Sequence, residues 1–319
     1  MQNQDKNKEN LTGLPPSTAV AMRRELARKV DAQIKVEGIQ ATAVSSLRLY
    51  RRSSPSACNS AAYDPSLIVF VQGEKRINLG GTSFLCNESN FLLTTVDLPV
   101  ISQVTGATKE KPVLGLLLKL DLPEVRRLLS KEEFNLSEDS GESCGMIVGV
   151  TSCELLGACS RLMDLLSAPQ DIPFLGPIIL REITYRLLRT PQGRPLRAIA
   201  TLGEQSQRTA KAVQWLRMNY AKPLRVEELA SMAQMGVSTL HHHFRLLTAM
   251  SPLQYQKHLR LHVARERMLN HGQDATSAAF DVGYESASQF NREYSRFFGQ
   301  PPMRDIKTRR MAIGSANQD

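Results

Sequence analysis

Histidine is absent from the first 240 residues of this 319-residue chain; all six, His241, His242, His243, His258, His262 and His271, fall in the last third. That absence denies the N-terminal part a histidine metal site, a Ser-His-Asp triad or a Cys-His nucleophile. The five cysteines, Cys58, Cys86, Cys144, Cys153 and Cys159, are odd in number and contain no C-x-x-C pair. They fit neither a disulfide framework nor a zinc knuckle, and suit a reducing cytoplasm. Isolated thiols of this kind mostly behave as small apolar residues, with a redox switch as the minor alternative. No run approaches the roughly 20 apolar residues that span a bilayer; the longest, "VLGLLLKL" from Val113 to Leu120, is strand-sized. The opening "MQNQDKNKENLTG" has no apolar signal-peptide segment and reads as a disordered lead-in over 1–17. A cytoplasmic protein with no membrane partner is expected.

What is present points to a soluble globular chain, with 42% hydrophobic and 22% charged residues and one tryptophan. Its length suits two domains, each with its own core. The net charge of +9 is uneven: residues 1–208 hold 25 Lys+Arg against 22 Asp+Glu, and residues 209–319 hold 15 against 9. The last third is therefore the more basic part, as a surface that meets phosphates would be, although solvated basic faces also exist without partners.

Helical spacing of Met22, Leu26 and Val30 predicts a short lead helix over 18–35. Short apolar segments then alternate with turn residues from "SLIVFVQG" to "PVLGLLLKLD", with Gly80-Gly81 inside a hairpin. This pattern predicts an antiparallel β-barrel or sandwich, cupin-like in form, whose interior either holds a small ligand or is simply filled by side chains. Tyr63, Gln72 and Val96 are the residues most suited to line a pocket, and equally suited to packing. A short helix over 121–129, a polar loop over 132–149 and a helical hairpin follow. The hairpin carries stripes at Leu155, Ala158, Cys159, Leu162, Leu165 and Leu166, and at Leu180, Ile183 and Leu187. Its apolar faces suit either the barrel or a dimer contact. Residues 191–208 read as a linker rich in Pro, Gly and polar residues. The overall class is α+β, with an all-α C-terminal part.

That C-terminal part contains a repeat. Shifting by 50 residues pairs Ser238 with Ser288, Leu240 with Phe290, His242 with Arg292, Phe244 with Tyr294 and Pro252 with Pro302, with one extra residue in the second turn. Each copy reads as helix, tight turn, helix, and a long helix capped by Ser251 and opened by Pro252 joins them. In a basic context, a helix-turn-helix places its second helix in the DNA major groove.

The stretches "ELASMAQMGVSTLHHHFR", "SPLQYQKHLRLHVARERML" and "VGYESASQFNREYSRFFGQPP" resemble the DNA-binding domain of the AraC/XylS family of bacterial transcription regulators. Upstream, "YDPSLIVFVQGEKRINLGG" and "VDLPV" look like the N-terminal domain of one AraC-like subfamily. The resemblance implies an effector-sensing or dimerisation domain over 18–190, a DNA-binding domain with two helix-turn-helix units over 209–306, and a disordered tail over 307–319. It further implies double-stranded promoter DNA, RNA polymerase, a homodimer partner and a small-molecule effector as partners, with activation the expected outcome. The effector residues stay unknown. An N-terminal domain that only oligomerises, or that senses redox state through cysteine, is the alternative.

Carried over by position, Ser238, Thr239, His241, His242 and Arg245 of the first recognition helix face outward, as do Ser286, Ala287, Ser288, Asn291, Arg292 and Arg296 of the second. Hydroxyl, amide and imidazole groups exchange hydrogen bonds with base edges, an alanine methyl meets thymine, and arginine holds guanine or phosphate. Leu240, Phe244, Phe290, Tyr294 and Phe297 are expected in the cores. Lys211, Arg217, Lys257, Arg260 and Arg304 are candidates for backbone contacts, or for ordinary solvation. Gly236 stands where the family often has a serine cap, and Ala275 and Ala278 stand where isoleucines are common, which thins the second core. No catalytic residue, cofactor or metal is expected: three consecutive helical histidines fan about 100° apart, and the i, i+4 pair His258 and His262 lacks a third ligand.

Overall fold

A computed structural model describes residues 16–56, 58–131, 144–201 and 203–316. Most of the expected lead-in over 1–17 (1–15), most of the polar loop (132–143) and the end of the tail (317–319) lie outside the described residues, while 16–17 open α1. The chain opens with helix α1 (Pro16–Gln33). Strands β1 (Gly38–Ala41), β2 (Leu47–Arg52), β3 (Asn59–Tyr63), β4 (Ser66–Gln72) and β5 (Glu74–Leu79) follow. Next come β6 (Thr82–Asn87), β7 (Asn90–Thr94), β8 (Leu98–Gln103), β9 (Val113–Lys119), α2 (Leu122–Leu129) and β10 (Met146–Val150). β10 takes part of the stretch expected to be loop, because Met146 to Val150 find backbone partners along β7.

The strands form two antiparallel sheets among the described residues, ordered β1-β2-β9-β4-β7-β10 and β3-β8-β5-β6. Of the two expected forms, barrel and sandwich, the closed cupin-like barrel is not formed: the sheets share no strand, and each keeps its own edges. The chain crosses between them after β4, where the register slips between Phe70 and Gln72 and Gly73 adopts φ +73°. A bulge followed by a left-handed glycine turns a strand sharply. At Gly73 a Cβ would stand 2.8 Å from Val113 Cγ2.

The six-stranded sheet is apolar on both faces. Leu47, Leu49, Leu67, Val69, Phe91, Leu114 and Leu116 pack outward against α1 and the helices after β10, while Ile68, Phe70, Leu92 and Val113 face the smaller sheet. Those helices are α3 (Cys153–Asp164), α4 (Ile172–Leu188) and α5 (Arg194–Ala200). The stripes of α3 and α4 thus lie against the sheet, with Leu156, Ala158, Cys159, Leu162 and Leu187 fully buried. Helix α4 carries Pro177 in its second turn. Where a linker was expected over 191–208, residues 191–200 and 205–208 are helical. Pro195 sits in the first turn of α5, where its missing N–H costs nothing, and Leu196, Ile199 and Ala200 are buried.

The C-terminal helices are α6 (Gln205–Met218), α7 (Val226–Met232), α8 (Val237–Thr248), α9 (Pro252–Asn270), α10 (Ala275–Asp281), α11 (Ala287–Phe298) and α12 (Pro302–Ala316). The pairs α7–α8 and α10–α11 match in length at offsets of 49 and 50 residues, so the extra residue lies in the second turn. Left-handed backbone recurs at the same places: Gln234 (φ +55°) and Gly283 (φ +92°) in the turns, Ala249 (φ +59°) and Gly299 (φ +79°) at the C-terminal ends. α12 reaches residue 316 of the tail that was expected to be disordered beyond residue 306. Arg309 donates to the Asn59 side-chain oxygen on β3 at 2.9 Å and Arg310 donates to the Met268 carbonyl at 2.7 Å, which tie that helix down.

The second pair is closed by aromatic rings in place of the aliphatics that alanines at 275 and 278 forgo. Tyr284, Phe290, Tyr294 and Phe298 contact one another in series, with centroids 4.4–5.4 Å apart. Phe297, expected in this core, is only half-buried and covers His258 and His262 at 4.4 and 5.6 Å. Burial lowers the pKa of these histidines to about 4 and about 3, with a further push from Lys257 and Arg265 respectively.

Two predictions follow from this packing. A Cβ at Gly283 would stand 2.0 Å from the Ala221 carbonyl oxygen, whereas at Gly299 it meets nothing within 4 Å. Gly283→Ala should cost about 3 kcal/mol or more and Gly299→Ala only about 1 kcal/mol; equal urea midpoint shifts would show that the Ala221 contact is immaterial. The second concerns acid. The unfolded histidines take up protons near pH 6.5 while the folded ones resist to far lower pH, so stability is complete above about pH 7 and falls as pH drops below about 6.5. A loss of about 4 kcal/mol by pH 5 is expected from the two together, and urea melts of a His258→Leu, His262→Leu variant should show a flatter pH dependence.

Candidate nucleic-acid interface

Helical periodicity sorts α8 and α11 into a core face and an open face. Leu240, Phe244 and Leu247 of α8 are buried, as are Phe290 and Tyr294 of α11. Ser238, Thr239, His241, His242 and Arg245 are all exposed, and so are Ser286, Ser288, Asn291, Arg292 and Arg296. Ala287 is half-buried, so its methyl is the least available of the eleven predicted contacts. The structure thus gathers those residues on two helix faces in two sets. His243 turns to the flank, half-buried and edge-on to His242 at 5.1 Å, and burial lowers its pKa.

The two helices start differently. Ser286 caps α11 by accepting from the Gln289 N–H at 3.4 Å, a long bond, while Gly236 precedes α8 with no side-chain cap. A missing cap leaves an amide free for other acceptors, at a cost of about 1 kcal/mol.

Charge separates the exposed arginines from the internal ones. Arg245, Arg292 and Arg296 make no ion pair among the described residues. Three of the five candidates for backbone contacts are instead spent inside the protein. Arg260 donates to the carbonyls of Tyr220 (2.7 Å), Gly283 (2.8 Å) and Lys222 (2.9 Å), stapling the α6–α7 turn to the α10–α11 turn. Lys257 pairs with Glu293 at 3.1 Å, and Arg217 with Asp64 at 3.0 Å and with Asp97. Sequence periodicity missed these roles because each depends on a partner distant in sequence. Lys211 and Arg304 are exposed.

The interface is not isolated from the N-terminal part. One buried cluster continues from between the two sheets into Val213, Leu229, Leu240, Phe244, Leu247 and Tyr255. Gly145 N–H donates to the Leu247 carbonyl at 2.9 Å, and the Tyr255 hydroxyl donates to the Asp97 carbonyl at 2.7 Å. A Cβ at Gly145 would stand 2.3 Å from that Leu247 oxygen. The β-sheet part therefore grips the C-terminal end of α8 and the start of α9, leaving the exposed face of α8 open.

No group of three or more His, Cys, Asp or Glu suited to a metal ion occurs among the described residues. Burial pushes the Cys86 and Cys159 thiols up to about 12, which removes the reactive thiolate, and Cys153 is also buried. No helix among the described residues is long and apolar enough to cross a membrane.

Comparison with known proteins agrees with this geometry. Residues 43–195 match the AraC-type transcriptional regulator N-terminus, and residues 229–307 match a helix-turn-helix domain. The HTH-type transcriptional regulator ArgR of Pseudomonas aeruginosa is 24% identical over 161 residues, 50% of this chain and 49% of that protein. The HTH-type transcriptional activator RhaS of Yersinia pestis is 30% identical over 105 residues, 33% of this chain and 38% of that protein. The chain thus spans half or less of these relatives' lengths. ToxT of Vibrio cholerae shares the fold with a TM-score of 0.55 at 10% identity, covering 85% of this chain and 98% of that one. ToxT solved with an unsaturated fatty acid bound matches with a TM-score of 0.55 at 10% identity, covering 82% and 94%. With both segments matched in order and the exposed helix faces behind them, the chain has the architecture of an AraC/XylS-family transcriptional regulator.

Proposed function

We propose that the chain is a sequence-specific activator of transcription that reads two successive major grooves with α8 and α11 and is controlled by a small molecule in its β-sheet domain. In this reading, residues 18–190 sense and dimerise, residues 209–306 bind promoter DNA, and RNA polymerase is contacted by the DNA-bound protein. The observation that carries it is the pair of duplicated helices, each with a buried aromatic core face and an open face of hydroxyl, amide, imidazole and unpaired guanidinium groups. Such groups supply both base readout and phosphate contact. The long helix α9 and the Arg260 staple hold the two helices in one frame, which a site longer than either alone requires.

The β-sheet domain's hold on α8 and α9 gives a ligand in that domain a route to the DNA-reading face. ToxT, which carries an unsaturated fatty acid in one solved form, supports a ligand-responsive domain here by likeness of fold. The surface of α4 supports dimerisation: Phe174, Leu175 and Ile178 are 77%, 45% and 60% exposed on one helix. Exposed apolar side chains grouped in this way suit a self-complementary contact.

Selection of duplexes from a random pool by the full chain should yield a preferred sequence bound far more tightly than bulk DNA, with affinity falling steeply as salt rises. Arg292→Ala should weaken that site by about fivefold or more and relax preference at its base position, and His242→Arg should shift preference in the other half. No preference over bulk DNA at about 100 mM salt would overturn the reading. Sedimentation should find a dimer that Phe174→Glu with Ile178→Glu converts to monomer; an unchanged state would remove α4 from the dimer contact.

A further inference from the structure

Helix α1 carries two stripes. Leu26 and Val30 are buried and seat it across β4 and β9. Beside them Val20, Arg23, Arg24, Ala27, Arg28 and Asp31 recur at helical spacing along one side. This second stripe lines a cavity of about 650 Å³, together with Lys109, Lys111 and Pro112 of the β8–β9 turn and Glu88 of the β6–β7 turn. The β8–β9 turn is tied at both ends. The Thr108 N–H donates to the Lys111 carbonyl at 3.2 Å, the Lys111 N–H to the Thr108 hydroxyl at 3.0 Å, and the Gln72 amide to the Pro112 carbonyl at 2.8 Å. The floor is apolar, with Ala27, Val71 and Leu114 only 7%, 4% and 1% exposed. Of the three residues that the sequence suggested for a pocket, Gln72 lines this one, whereas Tyr63 and Val96 do not.

Five basic and three acidic side chains line the cavity. One of each is already matched: Arg28 pairs with Glu25 at 2.8 Å, and Asp31 pairs with Arg51. Arg23, Arg24, Lys109 and Lys111 remain against Glu88 and Glu110, and none of these six makes an ion pair among the described residues. A surplus of two positive charges is left. Arg23 is half-buried, and its Nε is sealed from solvent with no hydrogen-bond partner among the described residues. A sealed donor without an acceptor is unfavourable, and an anion in the cavity supplies the acceptor. The core beneath the cavity belongs to the helix-covered face of the six-stranded sheet, whereas α8 continues the core of the opposite face. These cations are therefore separate from the outward arginines of α8 and α11.

We propose that the cavity between α1 and the β8–β9 turn binds an organic phosphate monoester, its phosphate on Arg23, Arg24, Lys109 and Lys111 and its body against Val20, Ala27 and Val71. A phosphate monoester carries a charge of about −1.5 to −2 at neutral pH, which the surplus of two matches. Guanidinium groups meet phosphate oxygens with parallel N–H donors, and lysines add compact positive charge. The apolar floor suits a ring or hydrocarbon body, and the volume is that of a small-molecule site. α1 precedes residue 43, where the matched N-terminal segment begins, so the basic helix of this site lies outside that segment. The inference names a ligand class for the β-sheet domain and rests on the reading of that domain as a small-molecule sensor.

The test uses the full chain, with phenyl phosphate, glucose 6-phosphate and AMP as probes and phenol, glucose and adenosine as their uncharged controls. At least one ester should raise the melting temperature, by about 5 °C or more at about a hundredfold excess over its Kd, and its control should not. Arg23→Met should weaken that ester by about tenfold or more, and Lys109→Met with Lys111→Met by about fivefold or more. The two lysines are exposed, so the second variant keeps the test intact if Arg23→Met does not fold. No stabilisation by any ester, equal stabilisation by an ester and its control, or unchanged affinity in the lysine variant overturns the proposal. Binding to phosphatidate vesicles without any response to the soluble esters assigns the cations to a lipid surface, and also overturns it. So does a loss of duplex affinity in the lysine variant when no ester binds, which assigns them to the DNA backbone. An ester that stabilises the protein but leaves duplex affinity unchanged keeps the site and removes the sensor reading, so the two failures are distinguishable.

Discussion

The six-stranded sheet is apolar on both of its faces, and a sheet of that kind cannot stand in water on either side. One face is met by α1, α3, α4 and α5, which seal it completely at Leu47, Leu49, Leu67 and Leu116. The other is met by a sheet of only four strands, two fewer than it must cover. That mismatch leaves Tyr50 and Leu117 only half-buried. The core of the smaller side meanwhile runs on into the first helix pair, where Leu240, Phe244 and Tyr255 complete it. Burial of apolar area is the main favourable contribution to folding, so the demand for cover on this second face is what joins the β-sheet part to the DNA-reading part.

The two helix pairs share a pattern and differ in what supports them. The first leans on the β-sheet domain through Gly145, Asp97 and Asp64 and starts its outward helix without a side-chain cap. The second makes its own core from a chain of aromatic rings and is fastened by a buried network in which Tyr294 donates to Asp305, itself paired with Arg265 and Arg309. α11 is held by α9, α12 and the Arg260 staple, which makes it the fixed reference of the pair.

Acidic partners sort the basic residues in the same way. Arg217, Lys257, Arg265 and Arg267 all have carboxylates within 3.1 Å and serve the architecture. The three arginines on the outward faces of α8 and α11 have none among the described residues. A surplus of positive charge that is local, outward and unpaired can attract phosphate without sacrificing an internal contact.

The sequence by itself determined the elements whose information is local. Helical spacing marked Leu26 and Val30 of α1, the capping pair Ser251 and Pro252 opened α9, and the 50-residue repeat located α8 and α11 with the outward identity of ten of their eleven candidate residues. Local signals sufficed there because a 3.6-residue period, an N-cap or a duplicated turn is written within a few residues. Only the tertiary structure decided that the strands form an open sandwich, that the Pro- and Gly-bearing stretch after Thr190 is helical and buried, and that Arg260, Lys257 and Arg217 face inward partners. Each of those outcomes depends on groups brought together from distant parts of the chain: edge strands that find or fail to find a neighbour, carbonyls of Tyr220 and Gly283 on either side of one guanidinium. Periodicity records which face a side chain takes, and only packing determines what stands opposite it.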